Sequence, residues 1–466
     1  MNAEILRWLQ CPFCLGRIRL KTVIKGSEQD IQHGLLACSE CAFEYPVIGG
    51  VAIVQGPDDV VDIKAETTAS TTLRGPRVRD LIQLLHSGDP VRALSLLLGP
   101  TSTEGNLFPK LAVPDDVDRP PASRNFHRKP VGRKIHLRHG GRILRLAQFL
   151  YRRQVLPSAQ YRLARFLESQ GRNLSALDVI DLYYRQYSGV EAFNYFAFRF
   201  GQPRHLAGLS LAMMLERTEG PILDLACGAG HMTHYFTCAH PGRPVVGVDR
   251  DFFRLYVAGH CVAPAGNYVC APADQPLPFS ERVFGGIYCS DAFHYFLHRA
   301  GSVRELRRLM ADDGVLILSR FGNVEVEPRE GYELSIEGYR RLFGDLPQLF
   351  LGEEDLINRY LDRRGPDLAV EAPVASLRRE KWVSVVASRN LERFHQSERF
   401  MNWPHAVGRL QINPIYLATG AGYNGGLELQ FQFPSPWYEF ENQRYRDYAP
   451  GSCHLTQEVL QALPRG

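Results

Sequence analysis

Short apolar runs and amphipathic stretches alternate through the second half of the chain. Between Gly220 and Gly322, "GPILDLACGAGHMTHYF", "RPVVGVDRDFF", "NYVCAPADQPLPFSERVFGGIYCSDAFHYF" and "SVRELRRLMADDGVLILSRFG" follow one another. Brief apolar runs bounded by turn residues read as strands buried on both faces, and apolar residues recurring every three or four positions read as helices that cover them. In the last stretch Val303, Leu306 and Met310 share one helical face, and Gly314 is the expected stop before a fifth strand. "KWVSVVASR" from Lys381 adds a late strand. The alternation predicts an α/β fold with a doubly wound, mostly parallel sheet.

Outside this region the pattern changes. "AFEYPVIGGVAIV" places two β-prone runs around Gly49-Gly50, the mark of a hairpin. A polar, Thr-rich and acidic linker follows, and then a short helical pair, "VRDLIQLLHSGDPVRALSLLLGP". "DLYYRQYSGVEAFNYFAFRFGQP" reads as an aromatic helix, either a lid that excludes water from a bound cofactor and acceptor or plain core. "GRLQINPIYL" and "LELQFQFPSPWYEF" alternate around "GAGYNGG" as an added hairpin, ended by Pro434 and Pro436. The expected divisions are an N-terminal ribbon at 1–56, a linker with a basic and aromatic helical region at 57–200, the doubly wound domain at 201–390, and a C-terminal β extension at 391–466.

The length of 466 residues, with 45% hydrophobic and 22% charged residues, suits two to four ordinary globular domains. No targeting pattern opens the sequence and no apolar run reaches ~18 residues, so no membrane span and a cytoplasmic location are expected. Of ten cysteines, Cys11, Cys14, Cys38 and Cys41 form two C-x-x-C pairs and the rest are scattered, which suits a reducing compartment. Two such pairs can give one ion four thiolates in tetrahedral array, the donor set that favours Zn2+ in a closed structural site. The net charge is only +4, yet from Arg119 to Phe166 there are thirteen Lys or Arg and no acid. That segment is either an anion-binding surface, with RNA as a possible partner, or a solvated face paired with acids elsewhere.

"LDLACGAGHMT" reads as strand, tight glycine turn and helix, so the backbone N–H groups after Gly228 and Gly230 face a ligand at the carboxyl end of a strand. A third glycine near Thr233, which a dinucleotide site would want, is missing. Asp224 either caps the turn or faces a ligand ammonium. Asp249, ending the second strand, stands where an acid reaches two ribose hydroxyls. Asp274 follows the third strand, and the fourth ends at Ser290-Asp291. His294 is the first candidate for a general base, ahead of His231 and Asp291.

"LDLACGAGHMT", "VVGVDRD", "ADQPLPF", "IYCSDAFHYF" and "ELRRLMADDGVLIL", in that order, resemble the class I S-adenosylmethionine-dependent methyltransferases. The resemblance implies that Asp224, Gly228 and Gly230 line the methionine end of that methyl donor and that Asp249 binds the ribose. It also implies that Ser290 belongs to the donor site and that Asp274 or its neighbour meets the adenine amino group. Here the acid stands three residues before Leu277, where four is more usual. Residues 1 to about 56, through "CPFCLGRIRL" and "CSECAFEYPVIGGVAIV", resemble the zinc-ribbon activator protein of transfer-RNA and release-factor methyltransferases. The expected function is methyl transfer to a small or medium-sized metabolite. The alternatives are an RNA methyltransferase, since ribosomal RNA guanine methyltransferases carry a comparable cysteine cluster, and a scaffold protein without catalysis.

Overall fold

The computed structural model describes residues 1–64, 73–98, 156–170, 174–180, 190–273, 275–326, 333–395, 413, 415–421 and 426–456. They form two compact units. One is built from the described residues within 1–99, 163–174 and 206–403, the other from those within 100–162, 175–205 and 404–466.

The first unit contains an eleven-stranded sheet. Its strands are β1 (Ile18–Gly26), β2 (Ile31–Cys38), β3 (Glu44–Ile48), β4 (Val51–Ile53), β7 (Ile222–Leu225), β8 (Val245–Asp249), β9 (Asn267–Cys270), β10 (Phe284–Ser290), β11 (Met310–Gly322), β12 (Gln348–Gly352) and β13 (Trp382–Ser388). The order across the sheet is β1-β2-β3-β4-β9-β8-β7-β10-β11-β13-β12. From β4 to β11 every neighbouring pair is parallel. β13 runs antiparallel to both β11 and β12. The sequence order reverses between β7 and β10, so the crevice outside their carboxyl ends is the topological switch point where ligands of such sheets bind. The doubly wound, mostly parallel sheet expected from the sequence is present.

The N-terminal strands are part of that sheet. The turn at Gly49 and Gly50, both with positive φ (55° and 74°), returns β3 into β4, as a two-residue hairpin requires. β4 then pairs in parallel with β9 through Val51↔Tyr268, Ala52↔Val269 and Ile53↔Cys270. Ahead of β1, Gln10 N–H donates to Pro278 O at 2.9 Å and Ser280 N–H to Trp8 O at 2.9 Å, which ties the ribbon to the "LPF" turn. Ile5, Leu9, Tyr45 and Val47 belong to the same continuous core as Val246, Val269 and Leu316. His33, fully buried in β2, meets Glu168 at 2.7 Å, and Lys25 pairs with the same carboxylate.

Two details differ from expectation. The helix Arg299–Leu309 ends five residues before Gly314, because β11 already begins at Met310, which pairs with Phe284 before the strand resumes opposite Gly286. The linker also forms a hairpin of β5 (Val60–Lys64) and β6 (Leu73–Arg77) ahead of the expected helices Val78–His86 and Pro90–Leu97.

In the second unit β14 (Tyr416–Ala421) and β15 (Leu427–Phe431) form the expected C-terminal hairpin, and β16 (Ser452–Leu455) adds a third strand. From the aromatic stretch, Phe193 and Phe198 pack edge to face at 6.5 Å, and Phe198 meets Tyr438 at 5.6 Å. These rings are buried core. Most of the basic segment, residues 119–155, lies outside the described residues. No described helix is long and apolar enough to cross a membrane.

Candidate functional site

Strand β7 delivers the chain into the glycine turn. Asp224 is 1% exposed, and Thr233, in the helix His231–Ala239, donates its hydroxyl to Asp224 Oδ2 at 2.6 Å. Burial raises the Asp224 carboxyl to about 7, and the Asp249 charge adds to this against the opposing Thr233 hydrogen bonds. Asp224 thus ties strand to helix.

At Gly228, φ is +56° and nothing lies within 4 Å of the place a Cβ would take. At Gly230, φ is +81° and a Cβ would sit 2.7 Å from the Cβ of Ala258. The first glycine leaves room on the ligand side, and the second lets two backbones approach. Asp249, 5% exposed, accepts from Gly228 N–H at 2.9 Å and from Asp251 N–H at 2.9 Å. Its carboxylate is therefore fixed in direction and holds the turn in place. Asp274 lies outside the described residues.

The opposite wall of the crevice comes from β10. The register Tyr288↔Asp224 and Cys289↔Leu225 sets Ser290 and Asp291 across from the start of the glycine turn. Ser290 is half-buried at the strand end, and the neighbouring Tyr288 hydroxyl donates to Gly208 O at 3.0 Å. His294 is 2% exposed, its Nδ1 has no hydrogen-bond partner among the described residues, and its ring lies 5.6 Å from that of Trp382. Burial lowers its pKa to about 4, with Asp291 opposing and Arg320 assisting, so the imidazole is neutral at neutral pH. His231 opens the helix after Gly230 and is buried.

The sequence reading did not single out Arg320, Glu353 or Trp382. Arg320 is 4% exposed near the end of β11, donates from Nη1 to Asp291, and donates from Nε to Glu353 at 2.7 Å. Its guanidinium lies 3.8 Å from the centroid of the Trp382 ring. Burial works against its charge, but Asp291 and Glu353 more than offset this and hold its pKa above the usual value. A basic residue inside the largely apolar "VLILSRFG" is the signal that could have revealed it.

Seven described non-glycine residues have positive φ. Ala226, Asp291 and Arg320 lie at or near the ends of β7, β10 and β11, and Leu15 and Ala42 each follow the second cysteine of a C-x-x-C pair. Such a conformation costs about 1 kcal/mol or more per residue, and five of the seven lie at the two sites singled out by sequence. At the ribbon, the sulfurs of Cys11, Cys14, Cys38 and Cys41 all lie within 4.8 Å of one another. Cys14 and Cys38 are 3.4 Å apart, Cys11 and Cys41 3.7 Å, and the Tyr45 hydroxyl is 3.0 Å from Cys11 Sγ. Four thiol groups gathered in this way fit a tetrahedral metal ion.

Residues 223–318 match the family model described as a methyltransferase domain. The matched stretch contains both walls of the crevice, Asp224 to Asp249 on one side and Ser290 to His294 on the other. A malonyl-[acyl-carrier protein] O-methyltransferase of Legionella pneumophila is 28% identical over 102 residues, 22% of this chain and 36% of that protein. A demethylmenaquinone methyltransferase of Thermotoga maritima is 28% identical over 106 residues, 23% of this chain and 45% of that protein. The chain therefore spans less than half the length of either curated relative. Among solved structures, a TehB-like methyltransferase of Corynebacterium glutamicum aligns over 43% of this chain and 100% of its own, with 18% identity and a TM-score of 0.31.

The matched stretch buries a carboxyl at Asp224 whose pKa is raised from 3.8 to about 7. Between these values the folded chain keeps a proton that the unfolded chain has released. The stability contributed by that proton is fully present below pH ~3.8 and is lost as pH rises through ~7, a change on the order of 4 kcal/mol. Asp224→Asn is expected to flatten this part of the profile. Urea denaturation of both proteins between about pH 4 and 7.5 checks it, and parallel profiles would contradict the assignment.

Proposed function

We propose that this chain is an S-adenosylmethionine-dependent methyltransferase whose acceptor is a small or medium-sized metabolite, with a structural zinc ion in its ribbon. The observation that carries the reading is the Asp249 carboxylate. It is held by two backbone N–H groups at the carboxyl end of β8, beside a glycine turn with open space at Gly228. A carboxylate so fixed still has lone pairs for two adjacent hydroxyls, the pattern of a ribose.

In this reading the backbone at Gly228 and Gly230 lines the methionine portion, and Asp224 is assigned to its ammonium group, whose positive charge favours the ionised carboxylate. Asp249 takes the ribose hydroxyls, Ser290 forms the facing wall, and Asp274 or its neighbour is assigned to the adenine amino group. The bound donor supplies a methyl group on a positively charged sulfur. The chain's own contribution is to hold the acceptor atom ~3 to 3.5 Å from that methyl carbon and to keep water out. His294 is assigned to the acceptor side. A ring with a pKa near 4 is a poor store for a proton at neutral pH, so its role is to orient an acceptor hydroxyl by a hydrogen bond rather than to retain the proton.

The names of the two curated relatives give malonyl-[acyl-carrier protein] and demethylmenaquinone as acceptors, neither of them RNA. This supports a metabolite acceptor. The support for RNA comes from the charge of residues 119–166 and from the resemblance of the N-terminal cysteine cluster to that of ribosomal RNA guanine methyltransferases.

Asp249→Ala is expected to weaken S-adenosylmethionine binding by roughly 2 kcal/mol, about thirtyfold, because it removes two hydroxyl bonds and frees the Gly228 amide. Calorimetry measures this, and unchanged affinity would move the ribose elsewhere. A chain that binds no S-adenosylmethionine would be a scaffold.

Labelled S-adenosylmethionine offered with a small-molecule extract in one tube and total RNA in another is expected to label the extract. Label appearing in RNA, and vanishing on charge reversal at Arg128, Lys129, Arg133 and Lys134, would establish the RNA alternative.

Elemental analysis of chain purified without chelator is expected to find one zinc per chain. Cys38→Ser is expected to lose that zinc and lower the unfolding midpoint of the sheet to which the ribbon belongs. Absence of zinc from the unsubstituted chain would refute this assignment.

A further inference from the structure

We propose that Arg320 is a positioning residue for methyl transfer, fixing Asp291 and the turn after β10 against the acceptor side of the crevice. The inference rests on the methyltransferase reading and adds to it a residue outside the matched domain model, which ends at residue 318.

Its parts converge from four strands. Asp291 follows β10, Arg320 lies near the end of β11, Glu353 follows β12, and Trp382 opens the antiparallel β13. Each therefore sits at the ligand-facing edge of the sheet. Arg320 occupies an irregularity in the β11·β13 register, between Leu318 and Phe321, and its amide donates to Ser384 Oγ at 3.0 Å. Both Asp291 and Arg320 have φ of 56°, and their side chains are joined to each other.

Stability alone is a weak reason for this arrangement. A buried ion pair is often matched or bettered by packed apolar side chains, and two left-handed residues add strain. What the triad supplies is direction. A planar guanidinium bridging two carboxylates and lying on an indole has little freedom to rotate. The fixed Asp291 begins the short turn that carries His294, whose Nδ1 is buried with no hydrogen-bond partner among the described residues. A shift of Asp291 would move that ring relative to the glycine turn across the crevice.

The test uses the full chain with Arg320→Met, Arg320→Lys and Glu353→Gln. For each, calorimetry gives the affinity for S-adenosylmethionine, and the initial rate is read as labelled methyl transferred into the small-molecule extract. Affinity is expected to stay within about threefold in all three variants. The Arg320→Met rate is expected to fall roughly a hundredfold, the scale of a misplaced reacting group. Arg320→Lys keeps the charge but cannot bridge both carboxylates, so its thermal midpoint should recover while its rate stays low. Glu353→Gln, which keeps a neutral acceptor, should lose about tenfold and serves if Arg320→Met does not fold. Full rate in Arg320→Lys, or a rate that falls only in step with affinity, would overturn the proposal. So would an Arg320→Met rate within about threefold of the unsubstituted chain. An unsubstituted chain that labels no extract overturns the functional reading, and this inference with it.

Discussion

A parallel sheet exposes unpaired N–H and C=O groups along its outer strand, and these must be covered. On one side of this sheet the outer parallel strand of the doubly wound region is β9, and β4 covers it over three residue pairs. Much else depends on that pairing. It places the ribbon in the same core as the domain, draws the "LPF" turn against Trp8 and Gln10, and leads the chain after β4 to the carboxyl end of β9. There Gln55 donates to Cys270 O at 3.4 Å. The ribbon thus completes the sheet as well as gathering four cysteines.

The two walls of the crevice are built by different means. On the β7–β8 side, backbone amides and glycines shape the turn, and the single carboxylate of Asp249 locks it. On the β10–β11 side the shape comes from buried charge, with Asp291, Arg320 and Glu353 joined beneath Trp382. A backbone-built wall accepts many side chains and leaves a short motif. A wall built from side chains on four separate strands leaves none that is contiguous.

That difference explains what was legible in the sequence. The order of strands and the glycine turn follow from local pattern, because a strand buried on both faces must be apolar and a left-handed turn favours glycine. Gly228, Gly230 and Asp249 could be named for that reason. Thr233 as the partner of Asp224 was not visible, since a hydroxyl nine residues away declares no direction. The β4·β9 pairing was hidden more deeply. Residues 51–53 form an ordinary short strand, and nothing local states that their partner is Tyr268 to Cys270. Arg320 did leave a trace, a charge in an apolar strand, but its meaning required Glu353 and Trp382, 33 and 62 positions further on.

The union of β4 with β9 also has a temporal side. Ile53 leaves the ribosome 214 residues before Asn267. At ~5 to 20 residues per second, roughly 10 to 40 seconds separate the two. Throughout that interval the edge that later receives β9 has no partner, and such an edge is a template for pairing with other chains. The segment is short, three residues, with Val54, Gln55 and Gly56 after it, so it offers little length for a wrong neighbour to grip. Brevity that is unremarkable in the finished sheet is, during synthesis, a safeguard against premature pairing.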